Sequence, residues 1–362
     1  MKKILITFPE LYYGGAEKQF RELVSRIDKN KFKIVVVVSC VHLGNNQPKT
    51  TEEYVKANPE VMFYFLKDLN ISKNIRSKIS VANSYRKQLK RIVEIEKPDI
   101  ALFYSGMELC GSHLLRKNGA KVIFSEREDG DRGTLKLFRY KLFFLNVNKI
   151  VCNSKQAQRY YKKHSISSDY FPNGIAVNEI LKSTDHEFCI LMPARIARVK
   201  NQELVINALA RLKDITFKTI FIGKQEDKNY LSYLRSLAKE KRVDNKIEFL
   251  EFTTDISSYY QESDVVILPS QMEGFTNVLL ESYMYGRLCI VSDIIMNKDV
   301  ASPSQRFCNV YDDALLASLI KEVYDMGEVE KNKEINENHQ YVLKHFSLEA
   351  MVDNYSRLFD TL

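Results

Sequence analysis

The chain has 362 residues, 45% of them hydrophobic and 28% charged, with a net charge of +8. That length exceeds one ordinary core and predicts two domains. The composition is that of a soluble globular protein without low-complexity tracts, and no apolar run approaches the roughly 20 residues that span a bilayer. The charge is unevenly placed: residues 1–171 hold 32 Lys and Arg against 17 Asp and Glu, and residues 172–362 hold 22 against 29. Such asymmetry points to an anionic partner for the first half, whether nucleic acid, an anionic membrane face or a phosphorylated substrate, unless the cations are only solvated surface.

In chain order, MKKILITFPE opens with a short apolar run before Pro9, which predicts a first β-strand and not a signal peptide. A helical pattern starts at Ala16 and is followed by the apolar run KIVVVVSC. In residues 85–97, YRKQLKRIVEIEK, the side chains of Tyr85, Leu89, Ile92 and Val93, with Val81 before them, share one helix face. Arg86, Lys87, Lys90 and Arg91 occupy the other, as in an ordinary surface helix. DIALFYS, AKVIFSE and KIVCNS are further short apolar runs separated by helical segments. Between the last two, residues 133–149 read GTLKLFRYKLFFLNVNK, with Lys136, Arg139 and Lys141 interleaved among Leu, Phe and Tyr. The segment fits a core helix with snorkelling cations and equally a helix touching a membrane surface.

Residues 170–187, YFPNGIAVNEILKSTDHE, combine Pro-Asn-Gly turn chemistry with no periodicity, and the charge balance changes sign there. Beyond it the scheme repeats in FCILMPA, ITFKTIFIG, KIEFLEF, DVVILPS and LCIVSDI. Continuous apolar strands alternating with helices predict parallel sheets covered on both faces. The expectation is an α/β chain of two Rossmann-like doubly wound domains: residues 1–171, residues 172–345, and a C-terminal helix over 346–362 packing back on the first domain. Ligands of open α/β sheets bind outside the carboxyl ends of the strands, so two facing sheets would make an inter-domain cleft. Cys40, Cys110, Cys152, Cys189, Cys289 and Cys308 have no metal-like spacing and fall mostly in strand-like runs, as buried free thiols of a reducing cytoplasm would.

Several nucleotide chemistries are excluded by motif. The turn after the first strand reads FPELYYGGAE, without GxGxxG, and no GxxxxGK[ST] loop or HExxH occurs. No clustered His/Cys set and no Asp-x-Asp follows a strand, so neither a metal nor another cofactor is expected. In ILMPARIARVKNQELVINALA, Arg195 and Lys200 follow a strand end on a loop into a helix. Two cations there suit a diphosphate, one forking onto oxygens and the other acting as a point charge, although solvated loop charges would look the same. In VVILPSQMEGFTNVLLES another strand end precedes Glu273 and a helix opening at Thr276. The amides of Phe275, Thr276, Asn277 and Val278 would meet an anion, and Gly274 would let the backbone approach. Glu281, one turn beyond Asn277, would face the same ligand or simply solvent.

With these residues in view, the chain resembles the retaining glycosyltransferases of family 4, which have the GT-B fold. The resemblance rests on EGFTNVLLE, similar to the family's E-x7-E element, and on GGAEKQ, CNSKQAQ, PNGI, ARIARVKNQELVINALA, FIG and DVVILPS in the same order. It implies that Arg195 and Lys200 hold the donor diphosphate, and that Glu273 contacts the transferred sugar and Glu281 the ribose. It also implies backbone contacts from Gly274, Phe275, Thr276, Asn277 and Val278, a donor-binding place for Gly223 in FIG, and room for the diphosphate at Gly15. Two departures matter. Glu251 stands in FLEFTTD where the family has glycine, which touches the base contact, uracil being the default. SEREDGDRG replaces a loop that often carries histidine, which implies that Glu126 and Arg127 stand at the reaction centre; a plain salt bridge between them is the alternative.

The resemblance further implies a metal-independent enzyme that moves a sugar from a nucleotide-sugar donor to a glycan acceptor, polyprenyl-diphosphate-linked in relatives that build surface polysaccharides. A basic acceptor domain fits a cytoplasmic enzyme working peripherally at the anionic inner leaflet. A nucleotide-sugar epimerase and a non-catalytic sugar-nucleotide-binding subunit remain open as alternatives. Nucleic acid is not expected as a partner, because no recognition module or aromatic platform is present.

Overall fold

The structure is a computed structural model that describes residues 1–9, 15–39, 49–67, 69, 75–104, 106, 108–127, 144–177, 179–181, 187–225, 227–253, 255–273 and 275–362. Cys40, Gly274 and residues 133–143 of the basic segment lie outside these. The chain forms two compact units, one of residues 1–174 together with 348–362, the other of residues 175–347. Relative to the expected division at 171/172, the change of unit falls at Gly174/Ile175.

The first unit is built on seven strands: β1 (Lys2–Phe8), β2 (Phe32–Val38), β3 (Met62–Phe65), β4 (Ile100–Phe103), β5 (Lys121–Glu126), β6 (Lys149–Cys152) and β7 (Asp169–Tyr170). Their order is β3-β2-β1-β4-β5-β6-β7, and every pairing is parallel. Helices α1 (Gly15–Arg26), α2 (Lys49–Ala57), α3 (Ile75–Glu96), α4 (Ser112–Lys117) and α5 (Lys155–Lys163) connect them. The central strands are buried at nearly every position. That is why they read as unbroken apolar runs: helices cover both faces of a parallel sheet and leave no polar side. The α3 face carrying Val81, Tyr85, Leu89, Ile92 and Val93 is buried, and Lys87, Lys90 and Arg91 are exposed. Arg86 departs from the solvated reading, because its Nε donates to the Cys110 carbonyl at 2.9 Å.

The second unit has six parallel strands, β8 (Cys189–Pro193), β9 (Lys218–Ile222), β10 (Ile247–Leu250), β11 (Val265–Leu268), β12 (Leu288–Ser292) and β13 (Arg306–Cys308), in the order β10-β9-β8-β11-β12-β13. Its helices are α6 (Gln202–Leu209), α7 (Lys228–Glu240), α8 (Ser257–Gln261), α9 (Asn277–Met284), α10 (Ile295–Val300), α11 (Asp313–Asp325) and α12 (Glu328–Phe346). A last helix, α13 (Leu348–Thr361), packs with the first unit, where Phe359 meets Phe32 edge-on at 5.7 Å. Cys110, Cys152, Cys189, Cys289 and Cys308 are buried and free. Among the described residues no helix is long and apolar enough to cross a membrane.

Strands β3, β7 and β13 have no counterpart among the expected strands. They are four, two and three residues long and lie at the sheet edges, where one side needs no partner and the hydrophobic pattern is weak.

Candidate active site

In both sheets the strand order reverses between two central neighbours, β1 and β4 in the first and β8 and β11 in the second. Chains leave such a pair toward opposite faces, so a crevice opens at the carboxyl ends. In the second unit the crevice is visible in the ladder itself. Strands β8 and β11 share two residue pairs, Val265 with Ile190 and Val266 with Leu191, whereas β8 and β9 stay paired as far as Pro193 and Ile222.

Two loops flank that crevice and are tied across it. After β8 the chain passes Arg195 and enters a 3-10 turn, Arg198–Lys200. After β11 it passes Ser270 and Glu273 before Thr276 caps α9. Lys200 Nζ lies 2.6 Å from Glu273 Oε1, with the two side chains 18% and 14% exposed. The Gln271 amide donates to the Val199 carbonyl at 2.9 Å. Asn201 adopts a left-handed backbone, φ 64°, and its Nδ2 donates to the carbonyls of Pro269 at 3.3 Å and Val310 at 2.9 Å. The side chain thus fixes the turn that aims Lys200.

Thr276 does not cap its helix with its side chain. Its hydroxyl donates to Asn297 Oδ1 at 2.7 Å, and Asn297 Nδ2 donates to the Ser292 carbonyl at 2.8 Å and to Ser292 Oγ at 2.9 Å. Ser292 Oγ closes the chain on the Ser270 carbonyl at 2.6 Å. The Glu273 loop is therefore anchored at both ends by one buried polar network, and the first amides of α9 have no side-chain cap. On α9, Leu279, Leu280, Tyr283 and Met284 are buried, while Asn277, Val278 and Glu281 form its half-buried face, with Phe275 half-buried just before it. Glu281 stands one turn from Asn277 on that face.

Arg195 is exposed, and its carbonyl accepts from Gln202 Nε2 at 2.9 Å. Gly223, at the end of β9, lies against the same loop: a Cβ there would strike the Ala194 carbonyl. Its amide donates to the Leu250 carbonyl at 3.1 Å. Glu251 follows β10, exposed. Gly274 lies outside the described residues.

In the first unit the motif residues meet at the carboxyl edge of the sheet. Gly15 is the first residue of α1. Gln19, from the GGAEKQ segment, exchanges two bonds with Gly174 of PNGI, at 2.8 Å and 2.7 Å. Glu126 and Arg127 do not pair with each other. The Glu126 carboxylate is 3% exposed and accepts from Tyr161 Oη at 2.9 Å. Arg127 reaches Asn173 Oδ1 at 2.9 Å and Tyr355 Oη at 2.8 Å, with its guanidinium 4.8 Å from the centre of the Tyr104 ring. The expected salt-bridge alternative is thereby overturned: each side chain is drawn to its own hydrogen-bonding partners.

Sequence reasoning missed Asn201, Asn297 and Tyr355. Asn201 lies within the quoted ARIARVKNQ element, but its αL geometry gives no sequence signal beyond asparagine's tolerance for it. Among the described residues no three His, Cys, Asp or Glu side chains stand together to hold a metal ion.

Residues 177–341 match the model of the family described as glycosyl transferases group 1. The chain is 24% identical over 374 residues to the GalNAc-alpha-(1->4)-GalNAc-alpha-(1->3)-diNAcBac-PP-undecaprenol alpha-1,4-N-acetyl-D-galactosaminyltransferase of Campylobacter jejuni, covering 99% of this chain and 98% of that one. A glycosyltransferase from Rickettsia africae superposes with a TM-score of 0.84 at 18% identity, over 99% of this chain and 98% of its own. Anabaena HepE in complex with UDP and glucose superposes with a TM-score of 0.77 at 14% identity, over 100% of both chains. The fold is GT-B, two Rossmann-like parallel-sheet domains.

Proposed function

We propose that this chain, whose residues 177–341 match the glycosyl transferases group 1 family model, moves a sugar from a UDP-sugar to a lipid-linked glycan. The reading includes retention of anomeric configuration, independence of metal ions, and a place in surface polysaccharide assembly. The observation that carries it is the Lys200–Glu273 contact across the β8/β11 crevice, with Glu281 eight residues further on the half-buried face of α9. The acceptor class draws support from the Campylobacter jejuni relative, whose name describes an undecaprenol-diphosphate-linked glycan. The donor class draws support from the UDP complex of the Anabaena neighbour.

The electrostatics follow from the site. Breaking the bond from the anomeric carbon to the phosphate oxygen leaves an oxocarbenium-like sugar and a diphosphate with added negative charge. Lys200 and Arg195, with the start of α9 at Phe275, Thr276, Asn277 and Val278, stabilise that charge more in the transition state than in the ground state. Glu273 holds Lys200 in place and accepts from hydroxyls of the sugar, and Glu281 accepts from those of the ribose. The acceptor hydroxyl bonds to the anomeric carbon from the face the diphosphate leaves, and its proton passes to the departing phosphate oxygen. No protein nucleophile is required, and none is assigned.

A thermal-shift screen of nucleotide sugars in EDTA tests the donor, and the anomeric configuration of the product tests retention. Lys200→Ala and Glu281→Ala should each remove most of the stabilisation. Unchanged shifts in both would move the donor site elsewhere, and a shift that needs a divalent ion would remove metal independence. A new sugar isomer formed from donor alone would favour an epimerase. The excess of cations in residues 1–171 motivates a peripheral place at an anionic membrane. Failure to float with anionic liposomes at any salt concentration would remove that part and leave the transferase intact.

A further inference from the structure

Among the described residues, Arg127 is a cation held without a counter-charge. It follows β5 at the carboxyl edge of an all-parallel sheet, where open α/β domains take their ligands. Its partners are an amide oxygen of Asn173, the hydroxyl of Tyr355 and the face of Tyr104. Burial holds the Tyr104 phenol well above its usual range, so that ring carries no charge. The adjacent carboxylate, Glu126, accepts from Tyr161 instead, and no acidic side chain among the described residues forms an ion pair with Arg127.

A guanidinium withdrawn from water without an anion is costly, and proteins usually pair it. Here, among the described residues, neutral groups fix the plane of the half-buried guanidinium and no anion offsets its charge. Asn173 takes a hydrogen from one terminal nitrogen and Tyr355 one from the other, while Nε is buried and unpartnered. One hydrogen on each terminal nitrogen remains, which is the fork that grips two oxygens of a carboxylate or phosphate. Tyr355 is itself fixed through the Ser125 hydroxyl at 3.1 Å, so the last helix of the chain helps set the fork's direction.

We infer that Arg127 is the binding subsite for an oxyanion, a carboxylate or a phosphate, carried by the acceptor substrate. Its assignment to the acceptor rests on the proposed transferase reading; the presence of an oxyanion site at Arg127 does not.

The test compares thermal unfolding of the full-length protein in inorganic phosphate, in D-glucuronate and in chloride at matched ionic strength, with saturating UDP present to occupy the donor site. Phosphate or glucuronate should raise Tm by about 2–4 °C beyond chloride. That excess should vanish in Arg127→Gln and fall by at least half in Arg127→Lys, which keeps the charge and loses the fork. A response to phosphate alone identifies a phosphorylated acceptor group, and a response to glucuronate alone an acidic sugar. No excess in the wild type, or an excess that survives in Arg127→Gln, overturns the inference. Should Arg127→Gln fail to fold, the Arg127→Lys comparison decides. An absence of stabilisation by UDP itself would strike the donor reading instead, and the Arg127 comparison is then read without UDP. A UDP shift that falls in Arg127→Gln, with no excess from either anion, would assign the guanidinium to the donor and not to the acceptor.

Discussion

Lys200 Nζ and Glu273 Oε1 are 2.6 Å apart and 73 residues apart in the chain, one on the loop after β8 and the other on the loop after β11. The pair bridges β8 and β11, central neighbours of the second sheet that share two ladder pairs before they part. Both side chains are mostly withdrawn from water, so removing one strands the other. A double-mutant cycle of Lys200→Ala and Glu273→Gln should give a coupling of about 1–3 kcal/mol in urea unfolding. Additive losses would mean that the two charges are solvated separately and that the contact does not hold the loops together.

Asn297 supports this site without belonging to its charged set. Replacing it with Ala leaves the buried Thr276 hydroxyl without its acceptor and removes the two Nδ2 bonds to Ser292, whose hydroxyl keeps only the Ser270 carbonyl, at a cost of about 1–3 kcal/mol. The Glu273 loop would then lose one of its two anchors. Stabilisation by UDP should fall by more than global stability accounts for, which a UDP titration at a temperature well below both unfolding transitions would detect. Equal UDP affinity in variant and wild type would confine Asn297 to folding.

The alternation of strand and helix was legible because both sheets are parallel and doubly covered, which writes β1, β2, β4, β5, β8, β11 and β12 as apolar runs. The edge strands were not, since half-exposed MFYF and the two-residue β7 carry little hydrophobic signal. Within the site, spacing alone placed Glu281 relative to Asn277, because helix periodicity is local. The anchors depend on chain segments that meet only after folding: Asn297 meets Thr276 21 residues away, Asn201 meets Val310 109 residues away, and Tyr355 meets Arg127 228 residues away. No one-dimensional pattern encodes such meetings. The Glu126–Arg127 pair shows the converse: adjacency in sequence suggested a salt bridge, but Glu126 ends β5 and meets Tyr161 while Arg127 just beyond it meets Asn173 and Tyr355.

Gly223 permits the end of β9 to lie against the backbone of Ala194 and Arg195. The obstacle to a side chain is backbone, which cannot rotate away. Gly223→Ala should therefore cost about 1–3 kcal/mol and displace the loop that carries Arg195 and Lys200. Urea unfolding and a UDP titration together check this. A variant with native stability and native UDP affinity would show that the loop yields freely.

Glu108 offers a test of burial in the first unit. It lies just after β4, beside the strand-order reversal at β1 and β4, 1% exposed, and one carboxyl oxygen accepts from Thr7 Oγ1 at 3.0 Å. Burial pushes its carboxyl up from 4.5 to about 8, with the hydroxyls of Ser39 and Thr7 opposing the shift. The folded protein thus holds a proton that the unfolded chain has released, so stability falls as pH rises from about 4.5 to about 8 and is level above that. At ~1.4 kcal/mol per pKa unit, the wild type should lose up to about 4 kcal/mol relative to Glu108→Gln between pH 5 and pH 8.5. Urea unfolding of both proteins across that range measures the difference directly. Parallel stability profiles would show that Glu108 is ionised in the fold and hydrated where the structure shows it buried.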